Sequence, residues 1–270
     1  MKRCIFAIMA AMLLCGCSIK EEPDTLAVSF FDVGKADSFL MTCGGKSLLM
    51  DAGTAKDGKK VAKRLEDMGV ESIDYLMITH FDRDHAGGAA QIIQDFDVKA
   101  LLRPEYMKES DESAECMAAE DRGVKVIIIT SQTDIQLGST KLVIHPADKV
   151  YENDASNNSS LVTEVFHGNN SLLFTGDIEK ERIADIKYEL NDAGYDFLKV
   201  PHHGRYEKIL PEFFSLVGAQ SAVITSSEKN PEEQETIQAL EDAGVKDILL
   251  TRGGEITLQS DGGKLSFTQE

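Results

Sequence analysis

Short apolar runs alternate with amphipathic stretches along most of this chain, and the period of each run predicts its element. Residues 26–32, 38–42 and 47–50 read as strands separated by glycine-containing turns. Val61, Leu65 and Met68 fall on one helical face, and Gly69 stands where it would end that helix. Residues 75–79 form a buried-type strand running straight into His80. A helix is expected at 86–96, a strand at 98–102, a polar helix at 107–122 and a strong strand at 124–130. Residues 135–137, 141–145, 161–166 and 171–174 predict a run of antiparallel strands. The pattern then changes. Strands at 197–200, 222–225 and 247–250 are separated by helices, notably 232–243, and short strands at 256–258 and 265–267 close the chain. Each half thus supplies a sheet with outer helices, which predicts an α/β layered sandwich rather than a doubly wound sheet.

The N-terminus follows a different logic. Lys2 and Arg3 precede an apolar, small-residue run from Cys4 to Gly16 that is too short to span a bilayer, and the chain turns polar at Ser18. This reads as a secretory signal over residues 1–16. Its ending, Leu13-Leu14-Cys15-Gly16-Cys17, resembles a bacterial lipobox. That implies cleavage before Cys17, lipid attachment to Cys17, a tether at 17–24 and a folded domain at 25–270. The protein is therefore expected to be exported and lipid-anchored at the cell membrane. Cys43 and Cys116 are expected to be unpaired thiols, since no cysteines stand at metal-ligand spacing.

Charge narrows the functional classes. The 270 residues carry a net charge of −18, are 42% hydrophobic and include no tryptophan. Such a chain can bury a substantial core and is neither disordered nor a polytopic membrane protein. Its acidity argues against holding nucleic acid by bulk electrostatics, so a phosphodiester would need another source of positive charge. No G-x-G-x-x-G or Walker loop is present, which leaves nucleotide-cradle readings without support.

The chemistry concentrates in His80-Phe81-Asp82-Arg83-Asp84-His85-Ala86-Gly87-Gly88, where four potential ligands lie within six residues. Asp51, Asp177 and the His202-His203 pair each stand at or just past the end of a predicted strand, where side chains can converge on one rim. Imidazoles and carboxylates are the donors a catalytic divalent ion requires. Such an ion lowers the pKa of a water, and two together can stabilise both the attacking and leaving oxygens of a phosphoryl displacement. Taken alone, Asp82 and Asp84 could be favourable charges at a helix start, but His80 and His85 on either side favour ligation. Asp177 either ligates or caps a helix beginning near Ile178. One of His202 and His203 is expected to ligate while the other hydrogen-bonds. His145 and His167 are expected at surface or loop positions outside the chemistry.

His80-x-Asp82-x-Asp84-His85 resembles a variant of the His-x-His-x-Asp-His signature of the metallo-β-lactamase superfamily. The closer resemblance is to the hydrolase domain of the DNA-internalisation competence proteins of the ComEC type and their stand-alone relatives. It is carried by Phe31-Asp32-Val33-Gly34-Lys35-Ala36-Asp37, Met50-Asp51-Ala52-Gly53, Thr79 to Gly88, Asn157-Asn158-Ser159-Ser160-Leu161-Val162, Thr175-Gly176-Asp177-Ile178 and Leu198-Lys199-Val200-Pro201-His202-His203-Gly204. The resemblance implies a four-layer αββα metallo-β-lactamase sandwich holding two divalent metal ions, Mn2+ or Zn2+. It assigns His80 and Asp82 to the first ion and Asp84 and His85 to the second. Asp177 would bridge them, and His202 or His203 would complete the second site. Asp84, Asp177 and His203 are the expected catalytic residues. Asn158 or Ser160 would contact metal, water or substrate, Asp32 and Asp37 would shape a loop beside the site, and Asp51 would orient a ligand histidine. A first site made of His80, Asp82 and an amide or hydroxyl near Asn158 would be oxygen-rich, which suits manganese.

Three positions depart from the family's pattern. Lys35-Ala36 replaces Gln-Gly, Arg205 replaces the serine after His-His-Gly, and Glu228-Lys229-Asn230-Pro231 lacks the histidine that often precedes that proline. The first two changes add positive charge near the expected substrate mouth. The third leaves Lys35, Arg205, Tyr206 and Lys229 as candidate proton donors to a leaving group. The favoured reading is a phosphodiesterase or nuclease acting on extracellular DNA or nucleotides, with any role in DNA uptake requiring partner proteins. A hydrolase of small esters, lactones or lactams, and a non-catalytic metal-containing binding module, are the alternatives.

Overall fold

The computed structural model describes residues 25–107, 114–190 and 194–270. Strands β1 (Leu26–Phe30), β2 (Phe39–Cys43), β3 (Lys46–Met50), β4 (Ser72–Met77), β5 (Asp97–Pro104) and β6 (Lys125–Ile129) follow one another across the first sheet. Then come β7 (Thr133–Leu137), β8 (Thr140–His145), β9 (Val162–His167), β10 (Asn170–Phe174), β11 (Phe197–Lys199), β12 (Ser221–Ile224) and β13 (Asp247–Leu250), which form the second sheet in consecutive order. The chain finally returns to the first sheet, where β14 (Ile256–Ser260) pairs antiparallel with β1 and β15 (Leu265–Gln269) forms the edge. The expectation of one sheet per half is therefore corrected. The last hairpin reads as local strand signal, and only its partner strand, more than two hundred residues away in the chain, decides which sheet it joins.

Helices α1 (Gly58–Asp67), α2 (Arg83–Ala86), α3 (Ala89–Asp95), α4 (Ala114–Arg122), α5 (Ala155–Asn158), α6 (Lys180–Ile186), α7 (Leu210–Val217) and α8 (Gln234–Asp242) complete the described residues. The helix expected at 86–96 is two pieces, broken at Gly87-Gly88. That expected at 107–122 is described from Ala114 onward.

Strand alternation builds the layers. In β3, Leu48 and Met50 face the other sheet while Leu49 packs outward with Val61 and Leu65 of α1 and Ile92 of α3. In β10, Leu172 and Phe174 point inward and Leu173 joins Ile183 of α6 and Phe213 of α7. Period-two side chains on two stacked sheets thus give three apolar seams and a four-layer αββα sandwich. Phe30, Phe39, Phe174 and Phe197 meet at the centre with ring centroids 5.1–6.3 Å apart. Each fully buried ring contributes about 1.5–3 kcal/mol of apolar burial. This core fixes the relative height of the two sheets, and so of the strand ends that carry the polar residues. Among the described residues neither Cys43 nor Cys116 forms a disulfide, and Cys43 Sγ lies 3.3 Å from Ser139 Oγ.

Candidate metal centre

Five strands end at one place. Asp51 follows β3, His80 follows β4, Asp177 follows β10, His203 follows β11 and Thr225 follows β12. The segment from His80 to Gly88 crosses above them, laced to its neighbours by backbone bonds. Asp37 N–H donates to the Asp84 carbonyl (3.1 Å), Ala52 N–H to that of His85 (2.8 Å) and Gly88 N–H to that of Gly53 (3.0 Å). This crossing leaves no room for a side chain at Gly88, where a Cβ would lie 2.1 Å from the Ala52 carbonyl oxygen. Asp51, His202 and His203 adopt left-handed backbone with φ of 57°, 45° and 53°. Such positions cost on the order of 1–3 kcal/mol each and gather at functional sites.

Three imidazoles surround one carboxylate. The Nε2 atoms of His85 and His203 lie 3.2 and 3.1 Å from Asp177 Oδ2, and Asp84 Oδ2 lies 3.6 Å from His203 Nε2. Two overlapping sets, His80 with His85 and Asp177, and Asp84 with His85 and His203, each bring their ligand atoms within 4.8 Å of one another. The Nε2 atoms of His80, His85 and His203 are all buried without an aligned hydrogen bond. Leaving a buried polar atom unsatisfied costs about 1–3 kcal/mol. Three such nitrogens converging on a carboxylate fit divalent cations.

The opposite ring edges are held. Asp51 Oδ2 lies 2.8 Å from His85 Nδ1, and Asp51 also accepts from Thr79 N–H (2.8 Å) and Thr79 Oγ1–H (2.7 Å). His203 Nδ1 lies 3.1 Å from the Thr225 carbonyl and 2.9 Å from Thr225 Oγ1, which donates to Asp37 Oδ1 at 2.6 Å. His80 Nδ1 lies 3.2 Å from both Thr79 Oγ1 and Ser160 Oγ. Ser160 Oγ also accepts from Asp177 N–H at 3.2 Å. Each ring is thereby turned with Nε2 toward Asp177.

The electrostatics follow from this crowding. Burial opposes a charged His85, but Asp177 and Asp51 on either side of the ring overcome it and hold its pKa well above that of free imidazole. Burial likewise opposes charge on His203, and Asp177 and Asp37 raise its pKa. His80 goes the other way, pushed down to about 3 by burial and by the neighbouring His85. Burial would raise the Asp177 pKa, yet His203, His85 and Lys199 hold it well below the usual carboxylate range. The carboxylates around His85 and His203 thus favour positive charge at this point of the cluster.

Other expected residues fall elsewhere. His202 stands at the rim, 14% exposed, with Nδ1 3.0 Å from Glu179 Oε1 and Nε2 3.9 Å from Asp177 Oδ2, so His203 is the member of the pair inside the cluster. Asp82 Oδ1 accepts from Ser156 Oγ at 2.6 Å, and Asp82 belongs to neither ligand set. Asn158 Oδ1 accepts the backbone N–H of Glu179 (2.9 Å), securing the start of α6, while Asn158 Nδ2 donates to the Asn153 carbonyl. Asp82 Oδ1 and Asn158 Oδ1 are thus taken by neighbours while Ser160 Oγ stays in the cluster beside His80, and the sets that converge mix nitrogen and oxygen. Asp177 does not cap a helix, because α6 begins at Lys180 with Glu179 before it. Asp37 lies, as expected, in the loop between β1 and β2 beside the site, and it is fully buried against His85, His203 and Asp177, whereas Asp32 at the start of the same loop sits at the surface paired with Lys60 (3.4 Å). Lys35 and Arg205 are exposed, Arg205 reaching Glu179 at 3.3 Å.

His145 and His167 are corrected. Both are buried, at the ends of β8 and β9, with His145 Nε2 2.8 Å from Glu164 Oε1 and His167 Nδ1 2.8 Å from Ser260 Oγ. A histidine at a strand end reads as exposed until the strand opposite supplies its polar partner. Four residues of the site escaped sequence reasoning. Thr79 and Thr225 sit beside strand ends, Glu179 lies two residues past Asp177, and Lys199 is a lysine inside the apolar run Phe197-Leu198-Lys199-Val200. That misplaced charge was the available signal.

The model of the metallo-beta-lactamase superfamily matches residues 31–225, and the chain belongs to that superfamily, whose fold is that of metallo-hydrolases. Among curated relatives, it is 27% identical over 252 residues to ComE operon protein 3 of Bacillus subtilis (strain 168), covering 85% of this chain and 32% of that protein. It is 26% identical over 230 residues to competence protein ComA of Neisseria gonorrhoeae, covering 82% and 30% respectively. The chain thus spans about a third of the length of these relatives. Its fold is similar to the metallo-beta-lactamase fold protein YhfI from Bacillus subtilis, with a TM-score of 0.56 at 11% identity over 91% of this chain and 100% of that one.

Proposed function

We propose that this chain is an exported, lipid-anchored phosphodiesterase that cleaves DNA or nucleotides with two divalent ions held by His80, His85, His203, Asp84 and Asp177. The observation that carries the reading is the convergence of three buried Nε2 atoms, none with an aligned hydrogen bond, on Asp177. Bound there, the ions would supply Lewis acidity, lowering the pKa of a water and neutralising charge on the phosphate. The chain's own groups do the rest. Asp51, Thr225, Thr79 and Ser160 hold the three rings in the ligating orientation. Asp84, about a third exposed, is the carboxylate of the cluster open to solvent and is placed to orient an incoming water. Arg205 stands at the rim against Glu179, and Lys35 is exposed in the loop that carries Asp37; both would lend positive charge to an incoming phosphodiester. The relatives named for competence favour DNA among phosphodiesters.

The test is metal analysis of the purified full chain, with digestion of fluorescent single-stranded DNA after chelation and return of Mn2+ or Zn2+. Cleavage restored by either ion supports the proposal. Turnover of ester or lactam probes alone would replace it with a small-molecule hydrolase, and bound metal without turnover with a binding module.

A further inference from the structure

Lys199 ends β11, and strand alternation sets it on the same side as Phe197, facing the other sheet. Its side chain is fully buried. Nζ lies 2.5 Å from Asp37 Oδ2, donates to the Gly176 carbonyl at 3.3 Å and lies 3.5 Å from Asp177 Oδ1. Asp37 is engaged on its other oxygen by Thr225 Oγ1, the same hydroxyl that meets His203. A buried ammonium requires a full set of partners, and here one of them is the second oxygen of the carboxylate at the centre of the cluster.

We propose that Lys199 is a positioning residue. Paired with Asp37, its ammonium takes up Oδ1 of Asp177 and leaves Oδ2 alone to face the imidazoles and any ions between them. A carboxylate held in this way would offer Oδ2 alone to ions in the cluster, and turning to offer both oxygens would break its contact with Lys199. The inference rests on the reading of the cluster as a two-metal centre, and it assigns Lys199 a role beyond counter-charge for Asp37.

The two roles separate in a pair of full-chain variants. Asp37→Asn keeps the ammonium. Asp37→Asn with Lys199→Met removes the buried pair without stranding either charge, and Asp37→Asn with Lys199→Gln replaces it if the methionine form does not fold. The readouts are Mn2+ stoichiometry, affinity and the exchange-coupled two-manganese signal in electron paramagnetic resonance, with thermal melting as the check on folding. The wild type and Asp37→Asn should show the coupled signal. The folded double variant should lose it and bind its second Mn2+ at least tenfold more weakly. A folded double variant with wild-type affinity and coupling would overturn the proposal and reduce Lys199 to a counter-ion. A wild-type chain that holds no pair of ions would remove the two-metal reading itself.

Discussion

Asp177 concentrates most of the site's electrostatics in a single carboxylate. Its Oδ2 is within 3.2 Å of two imidazole nitrogens, and Lys199 stands against its Oδ1. Asp177→Asn keeps the shape and removes the charge. At least one metal equivalent should be lost and hydrolysis should fall roughly a hundredfold or more, since metal and electrostatic contributions are each worth several kcal/mol. Near-wild-type metal content by elemental analysis would show that this carboxylate is not a ligand. The histidines predict a pH dependence of the metal-free protein. His85 and His203 have pKa values above the ordinary 6.5, so the stability their protonation contributes is fully present below 6.5 and is lost as pH rises through the raised values. Metal reverses the trend, because it binds deprotonated imidazole and competes with those protons. The gap in melting temperature between metal-loaded and chelator-treated protein should therefore widen by several degrees from about pH 6 to about pH 9. A gap that narrows over that range would contradict the assignment of these two rings as ligands.

At the scale of elements, the site depends on how closely two segments cross. The 80–88 segment lies on the 51–54 turn through the bond from Gly88 N–H to Gly53 O, with the Ala52 carbonyl where a Cβ would stand. Gly88→Ala should force the two backbones apart and destabilise the protein by about 1–3 kcal/mol, the usual cost of overpacking. Metal content should fall with it, since Asp51 and His85 belong to the segments that separate. Urea denaturation together with metal analysis checks both, and an unchanged midpoint would mean that the crossing is not tight. Gly87-Gly88 fell inside the helix expected at 86–96, and the break it makes between α2 and α3 was not legible. The apolar period runs through it, and only contact with residues 52–58 demands glycine there. The left-handed turn at His202-His203 is similar. The pair was legible as chemistry, while the backbone conformation that sends one ring inward and the other to the rim came from the bond between His202 N–H and Gly176 O and from Thr225.

Across the whole molecule, the dominant feature is acidity. A net charge of −18 repels DNA, so the proposed function requires bound cations and rim side chains to supply the attraction. No helix among the described residues is long and apolar enough to cross a membrane. Cys17 lies outside the described residues, and lipid attachment there is part of the proposal. Cys17→Ser should move the protein from the membrane fraction to the soluble one without changing its metal content. Retention on membranes after a high-salt wash would end the lipid-anchor reading. The sequence by itself determined the alternation of strands and helices, the superfamily, and the set of histidines and aspartates at strand ends. These are written in local periodicity and in short ordered motifs, and they survive without knowledge of what lies opposite. Only the tertiary structure decided that His203 and not His202 enters the cluster, and that Asp82 and Asn158 spend their oxygens on neighbours. It also decided that β14 and β15 return to the first sheet, and that Lys199 is buried against Asp37 and Asp177. Each of these outcomes depends on which groups from distant segments meet in a space without water, where every charge and lone pair must find a partner.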